Sequence, residues 1–158
     1  MTTPPTDDAV LAGLSLAEKT ALTSGTRFWY TESVERLQLP SIMLTDGPHG
    51  LRKQRAGGDH LGIGDSVPAT CFPPAAALGS SWDVDLVERV GAALGTEAAH
   101  ADVGVLLGPG LNIKRSPLCG RNFEYLSEDP LVSGVLAAAL VAGIQSRGVG
   151  ACPKHFAA

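Results

Sequence analysis

Aromatic side chains are scarce in this 158-residue sequence, at 5% of positions, whereas glycine (19) and alanine are plentiful. That balance disfavours a ring-rich β-sandwich and suits closely packed helices and strands joined by tight turns. Cysteine is scarce too. Cys71, Cys119 and Cys152 are an odd number, far apart and without a C-x-x-C pair. They support neither a disulfide framework nor a structural zinc site, and are read as buried free thiols. No basic stripe accompanies the net charge of −4, so a nucleic-acid partner is not expected. The cluster Arg52-Lys53-Gln54-Arg55 lies in a glycine-rich stretch and reads as a solvated loop in preference to an anion-binding patch.

Long apolar runs are missing as well. The longest, Val135 to Ile144, has helical periodicity and is too short to cross a bilayer, so no membrane partner is expected. Met1 to Asp8 has no positive n-region and no apolar h-region, which makes the cytoplasm the default location. There is no G-x-S-x-G elbow, Walker loop or Rossmann glycine motif. His49, His60, His100 and His155 lack metal-ligand spacing, so no metal is expected.

With 44% hydrophobic and 18% charged residues, the chain can build a core. Residues 1–13 read as a flexible arm and residues 14–158 as one α/β domain. Ser15 and Glu18 have capping-box spacing with Leu14 as a staple, predicting a helix from about Leu16 to Thr23 that stops near Gly25. Ser41 to Thr45 reads as a buried strand ending at the turn Asp46-Gly47-Pro48, followed by a long loop from Gly50 to Pro74. From Asp83 a helix is expected, with Leu86, Val87, Val90, Ala93, Leu94 and Ala98 on its apolar face. Val103 to Gly108 reads as a second buried strand. Asp129 and Pro130 open the clearest helix, with Leu131, Val135, Leu136, Ala139, Leu140, Gly143 and Ile144 at helical spacing and a stop at Gly148. Val149 to Cys152 reads as a third strand with Lys154-His155 at its exit.

Alternating strands and helices are the pattern of parallel βα units, in a barrel or in a doubly wound sheet. In a barrel, the C-terminal strand ends build the active site. Asp46 at the first exit can accept hydrogen bonds from hydroxyls or simply form an Asx-turn. Arg121 offers a planar fork of donors that Glu124 can orient, or the two form an ordinary structural pair. Asp129 is read as a helix cap and not as a catalytic acid. Lys154 and His155 would point to opposite faces of a regular strand, and share a pocket only if the backbone departs from regularity. His49, Arg52 and Lys53 are accounted for by a polar loop.

The segments LSLAEKTALTSG, LTDGPHGLR, PPAAALGSSWD, GVLLGPGLNIKRSPLCGRNFEYLSEDP and GVGACPKHFAA resemble, in order and approximate spacing, the N-terminal domain of glycoside hydrolase family 3. GRNFEYLSEDP followed by KHFAA carries most of the specificity. The resemblance implies an α/β fold, a partial (β/α)8 TIM-type barrel holding about the first three strands with their helices. It implies a retaining β-glucosidase acting on terminal nonreducing β-D-glucosyl residues of a β-glucoside or oligosaccharide, without a cofactor. Asp46, Arg121, Lys154 and His155 would be substrate-binding residues of the −1 subsite. The N-acetylglucosaminidase branch continues after the phenylalanine with proline, glycine and a catalytic histidine, where this chain has Ala157-Ala158. A β-xylosidase, another β-glycosidase or a non-catalytic sugar-binding remnant are the alternatives.

The family's nucleophile is an Asp in a Ser-Asp-Trp context downstream of the KHF motif, and its acid/base is a later Glu. Ser81-Trp82-Asp83 has a different order and reads as a helix start, so no catalytic residue is assigned here. A closed barrel needs eight strands and about 250 residues. The sequence is therefore expected to be a truncated piece, inactive alone, with sheet edges and helix faces exposed.

Overall fold

The computed structural model describes residues 7–55 and 66–157. His60, the first six residues and part of the long loop expected over 50–74 lie outside them. The chain divides into two compact units, one up to Met43 and one from Leu44.

In the first unit, helix α1 (Asp7–Gly13) occupies a stretch expected as part of an arm. Asp7 and Asp8 in its first turn complement the helix dipole. Helix α2 (Leu16–Ser24) begins at the anticipated capping box, with Ser15 and Glu18 bonding each other's backbone, and stops at Gly25. Glu18 also pairs with Arg36, whose guanidinium holds the exposed carboxyl down to about 2. Among the described residues of this unit, Val34 and Met43 are the buried apolar ones.

The second unit is a three-stranded parallel sheet, β1 (Leu44–Asp46), β2 (Val105–Leu107) and β3 (Gly150–Ala151), in that order. Thr45 lies opposite Leu106, which lies opposite Ala151. Between β1 and β2 come α3 (Ala75–Ser81) and α4 (Val84–His100), and between β2 and β3 comes α5 (Pro130–Gln145). Sequence periodicity missed α3, which is two turns of Ala, Gly and Ser with one large apolar residue, Leu78. Ser81-Trp82-Asp83 is the junction where α3 stops and Asp83 caps α4 through the Leu86 amide.

The helix faces need correcting. On α4 the buried positions are Val87, Gly91, Leu94, Gly95 and Ala98, while Ala93 is exposed. On α5 they are Ser133, Leu136, Ala137, Ala139, Leu140, Gly143 and Ile144, whereas Leu131 and Val135 stand in solvent. Helix α5 is apolar on nearly every side, so spacing could not choose its inner face. The choice falls to the glycines that let α4 and α5 approach closely. Trp82, Val84, Leu131 and Val135 consequently line an apolar groove on the outside.

Asp129 is a helix cap, as expected, its Oδ1 accepting from the amides of Leu131 and Val132 at 2.7 and 3.1 Å. Its replacement by alanine is expected to cost about 1 kcal/mol of stability, read as a lowered urea midpoint. An unchanged midpoint would mean that Pro130 alone starts the helix.

The cysteines are free but exposed, contrary to the buried placement expected. Cys71 and Cys119 lie in loops and Cys152 follows β3, so none occupies the helix-sheet core. Among the described residues, no helix is long and apolar enough to cross a membrane.

Candidate functional site

Asp46, the last residue of β1, is aimed by a tight turn. Gly47 has φ of 134°, and a Cβ there would lie 2.2 Å from the Gly50 carbonyl oxygen, so only glycine fits. The Arg52 amide returns to donate to the Asp46 carbonyl at 2.9 Å, and Thr45 Oγ1 donates to the Arg52 carbonyl at 2.7 Å. The turn is thus pinned from both sides. Lys53 reaches away from it, donating to the Ala101 carbonyl at the C-terminal end of α4. There its charge opposes the negative pole of the helix. His49 is structural as well: its Nε2 accepts from the Ala75 amide at 3.0 Å and supplies the acceptor that the N-cap Pro74 lacks at the start of α3.

The backbone does leave the regular strand after β3. The Lys154 amide donates to the Pro109 carbonyl at 2.9 Å, and the Leu111 amide donates to the Lys154 carbonyl at 2.8 Å. These bonds continue the β2–β3 ladder beyond the strand ends. The Lys154–His155 peptide bond is cis. Asn112 then grips the next residue at two points: its Oδ1 accepts from the His155 amide at 2.6 Å and its Nδ2 donates to the His155 carbonyl at 3.3 Å.

Lys154 Nζ lies 2.7 Å from Asp46 Oδ1, with the lysine side chain 18% exposed and the aspartate 35%. Arg121 makes a two-point pair with Glu124, Nε to Oε1 at 2.7 Å and Nη2 to Oε2 at 3.0 Å. The same Nη2 lies 2.6 Å from His155 Nε2, and Tyr125 Oη lies 3.0 Å from His155 Nδ1. All four residues anticipated from the sequence therefore belong to two linked polar clusters at the C-terminal ends of the strands. Glu124, anticipated as a partner of Arg121, completes one of them. Asn112 and Tyr125 were not singled out; the only signal was their place inside the long motif around Arg121.

The charges are strongly coupled. Hydrogen bonding from Arg121 is the main reason the Glu124 carboxyl stays below its ordinary range, and the same pair raises the Arg121 guanidinium. His155 is lowered first by burial, then by Arg121 and Lys154, against the opposing pull of Glu124 and Asp46. His49 is also lowered, chiefly by burial. Both imidazoles are thus harder to protonate in the folded chain than in the unfolded one. The unfolded chain takes up the protons first as pH falls. Stability should be complete above about pH 6.5 and decline as pH drops from there toward the lowered folded values. Denaturation midpoints at pH 7.5 and 5.5 check this; a midpoint that rises on acidification would contradict it.

For a ligand, the arrangement offers donors and acceptors in alternation. Oδ1 of Asp46 is engaged by Lys154 while Oδ2 remains to accept, and the ammonium keeps further N–H groups. A neighbouring cavity of about 500 Å³ is lined by Asn112, Arg121, Tyr125 and His155 among others. Such a set suits a neutral polyol, whose hydroxyls each donate and accept.

Comparison with known proteins bears on this geometry. The Glycosyl hydrolase family 3 N terminal domain matches residues 9–158. The thermostable β-glucosidase B of Acetivibrio thermocellus is 64% identical over 149 residues, which are 94% of this chain and 20% of that protein. An exo-α-(1→6)-L-arabinopyranosidase of Bifidobacterium longum is 55% identical over 146 residues, 92% of this chain and 19% of that protein. Among solved structures, β-glucosidase 3B of Thermotoga neapolitana in complex with glucose matches with a TM-score of 0.82 at 42% identity. That match covers 96% of this chain and 23% of the other. The β-glucosidase of Kluyveromyces marxianus in complex with glucose gives 0.85 at 38% identity, covering 94% and 17%. The chain spans about a fifth of the length of the curated relatives it matches. Its three parallel strands with their helices are a partial (β/α)8 barrel. From the profile match over nearly the whole chain and the folds it shares, this protein belongs to glycoside hydrolase family 3, its residues 9–158 matching within that family's N-terminal domain.

Proposed function

We propose that this chain contributes part of the −1 sugar subsite of a retaining β-glucosidase acting on terminal nonreducing β-D-glucosyl residues. The observation that carries the reading is the meeting of Asp46 with Lys154 and of Arg121 with His155, residues far apart in sequence and gathered at one end of the sheet. Asp46 would accept from sugar hydroxyls and Arg121 and Lys154 would engage the others, while His155, both of whose ring nitrogens are taken, would serve the subsite by holding Arg121. Fixing the ring in this way supplies the positional part of catalysis. Bonds to ring hydroxyls also tighten as an oxocarbenium-like transition state forms.

The cluster's own carboxylates suit binding better than proton transfer. Asp46 is paired with Lys154, and Glu124 is held below its ordinary range by Arg121. A general acid would need a raised value instead. No nucleophile or acid/base is assigned within the chain, which is expected to bind glucose without hydrolysing glucosides. Titration of glucose into the full chain by calorimetry, beside an aryl β-glucoside hydrolysis assay, tests both halves. Binding on the order of 1 mM without turnover is expected. Failure to bind glucose, or genuine turnover, would each refute one half.

The 55% identity to an arabinopyranosidase supports a second reading, a pyranoside other than glucoside. Competition among glucose, xylose and L-arabinose separates the two, since the preferred sugar should displace the rest.

A further inference from the structure

Both ring nitrogens of His155 are engaged, and their partners dictate where its proton sits. Arginine carries only donors. Nη2 of Arg121 at 2.6 Å from Nε2 therefore requires Nε2 to be the acceptor. The ring proton then belongs on Nδ1, which donates to Tyr125 Oη at 3.0 Å. The Tyr125 ring meets the imidazole edge-on, with centroids 5.9 Å apart. Tyr125 is itself fixed, 7% exposed and following the 3₁₀ turn Asn122–Glu124. Its hydroxyl cannot retreat from Nδ1 without moving the turn that also carries Glu124. Meanwhile Asn112 immobilises the His155 backbone from the other side.

The consequence reaches Arg121. Of its five N–H groups, Nε–H is taken by Glu124 Oε1, and the Nη2 hydrogens by Glu124 Oε2 and His155 Nε2. The two on Nη1 remain. We propose that Tyr125 is a positioning residue: Arg121 imposes the Nδ1-protonated tautomer on His155, and the Tyr125 hydroxyl, by accepting that proton, holds the ring where Nε2 locks Arg121 with Nη1 as the donor pair offered to a ligand. The opposite tautomer would set N–H against N–H and release the guanidinium from one side.

The tautomer is a property of the unliganded chain. Only its effect on sugar affinity rests on the subsite reading above. The test uses the full chain labelled with 15N-histidine, at neutral pH, without sugar. Two-bond proton–nitrogen correlations should give His155 a pyrrole-like Nδ1 and a pyridine-like Nε2. In Tyr125→Phe, which keeps the ring and removes the hydroxyl, Nδ1–H loses its acceptor, and the two nitrogen shifts should move toward each other as the imidazole slips from Arg121. Glucose affinity should then fall about fivefold, the equivalent of one neutral hydrogen bond. A pyrrole-like Nε2 in the wild type overturns the proposal whether or not Tyr125→Phe folds, as does a folded variant with unchanged shifts. If the wild type shows the expected tautomer yet binds no glucose, the subsite reading fails while this one stands.

Discussion

Gly143→Ala should destabilise the chain by about 2 kcal/mol net, even though alanine is the better helix former by about 1 kcal/mol. A Cβ at residue 143 would lie 2.1 Å from the Glu88 carbonyl oxygen and 2.7 Å from the Ala92 nitrogen. The relation is reciprocal, since a Cβ at Gly91 would lie 2.4 Å from the Leu140 carbonyl oxygen. These neighbours are backbone, which no side-chain rotation can move aside. The helices would have to part by on the order of 1 Å, loosening a close-packed interior. Leu94 and Ile144, 0% and 1% exposed, lie in the core that would open. Gly134→Ala is the control. It sits on the exposed side of the same helix with nothing within 4 Å of its Cβ, and should stabilise by roughly 0.5–1 kcal/mol. Urea denaturation of the three proteins should therefore bracket the parent with one variant below and one above. If both alanines raised the midpoint, the close crossing of α4 and α5 would not exist in solution.

Asp46→Asn should weaken glucose binding by about tenfold or more while leaving the fold intact. The two side chains have the same shape, so the loss falls on charge. Hydrogen bonds to a charged acceptor contribute roughly 1.5–3 kcal/mol, equivalent to about 10- to 150-fold in affinity. Lys154 loses its only ion-pair partner among the described residues, whereas the Arg121–Glu124–His155 contacts do not touch Asp46 directly. Calorimetric titration of glucose into both proteins, with denaturation midpoints alongside, checks this. Equal affinity would take Asp46 out of the site. Lost affinity together with a collapsed midpoint would instead make the Asp46–Lys154 pair a structural requirement.

Local chemistry was legible in the sequence wherever a residue acts on its own neighbours. The capping box at Ser15 and Glu18, the Asp129-Pro130 helix start and the order of three strands were all readable, because caps, turns and apolar runs span only a few positions. The DGPHG turn, the motif around Arg121 and the KHF ending pointed to the family and to four residues. Spacing could not settle which side of α5 faces inward, because the helix is apolar nearly all round and the answer lies in glycines of α4 more than forty positions earlier. Nor could it show that Lys154 would meet Asp46, 108 residues away in the chain. The setting of His155 depends on a tyrosine, an arginine and an asparagine that only the packing of the β2–α5 loop against the end of β3 brings together. The sequence by itself determined where the capped helices α2, α4 and α5 begin and which chemical groups are present, since those depend on near neighbours. The tertiary structure alone decided which groups face one another, because that depends on how closely backbones approach.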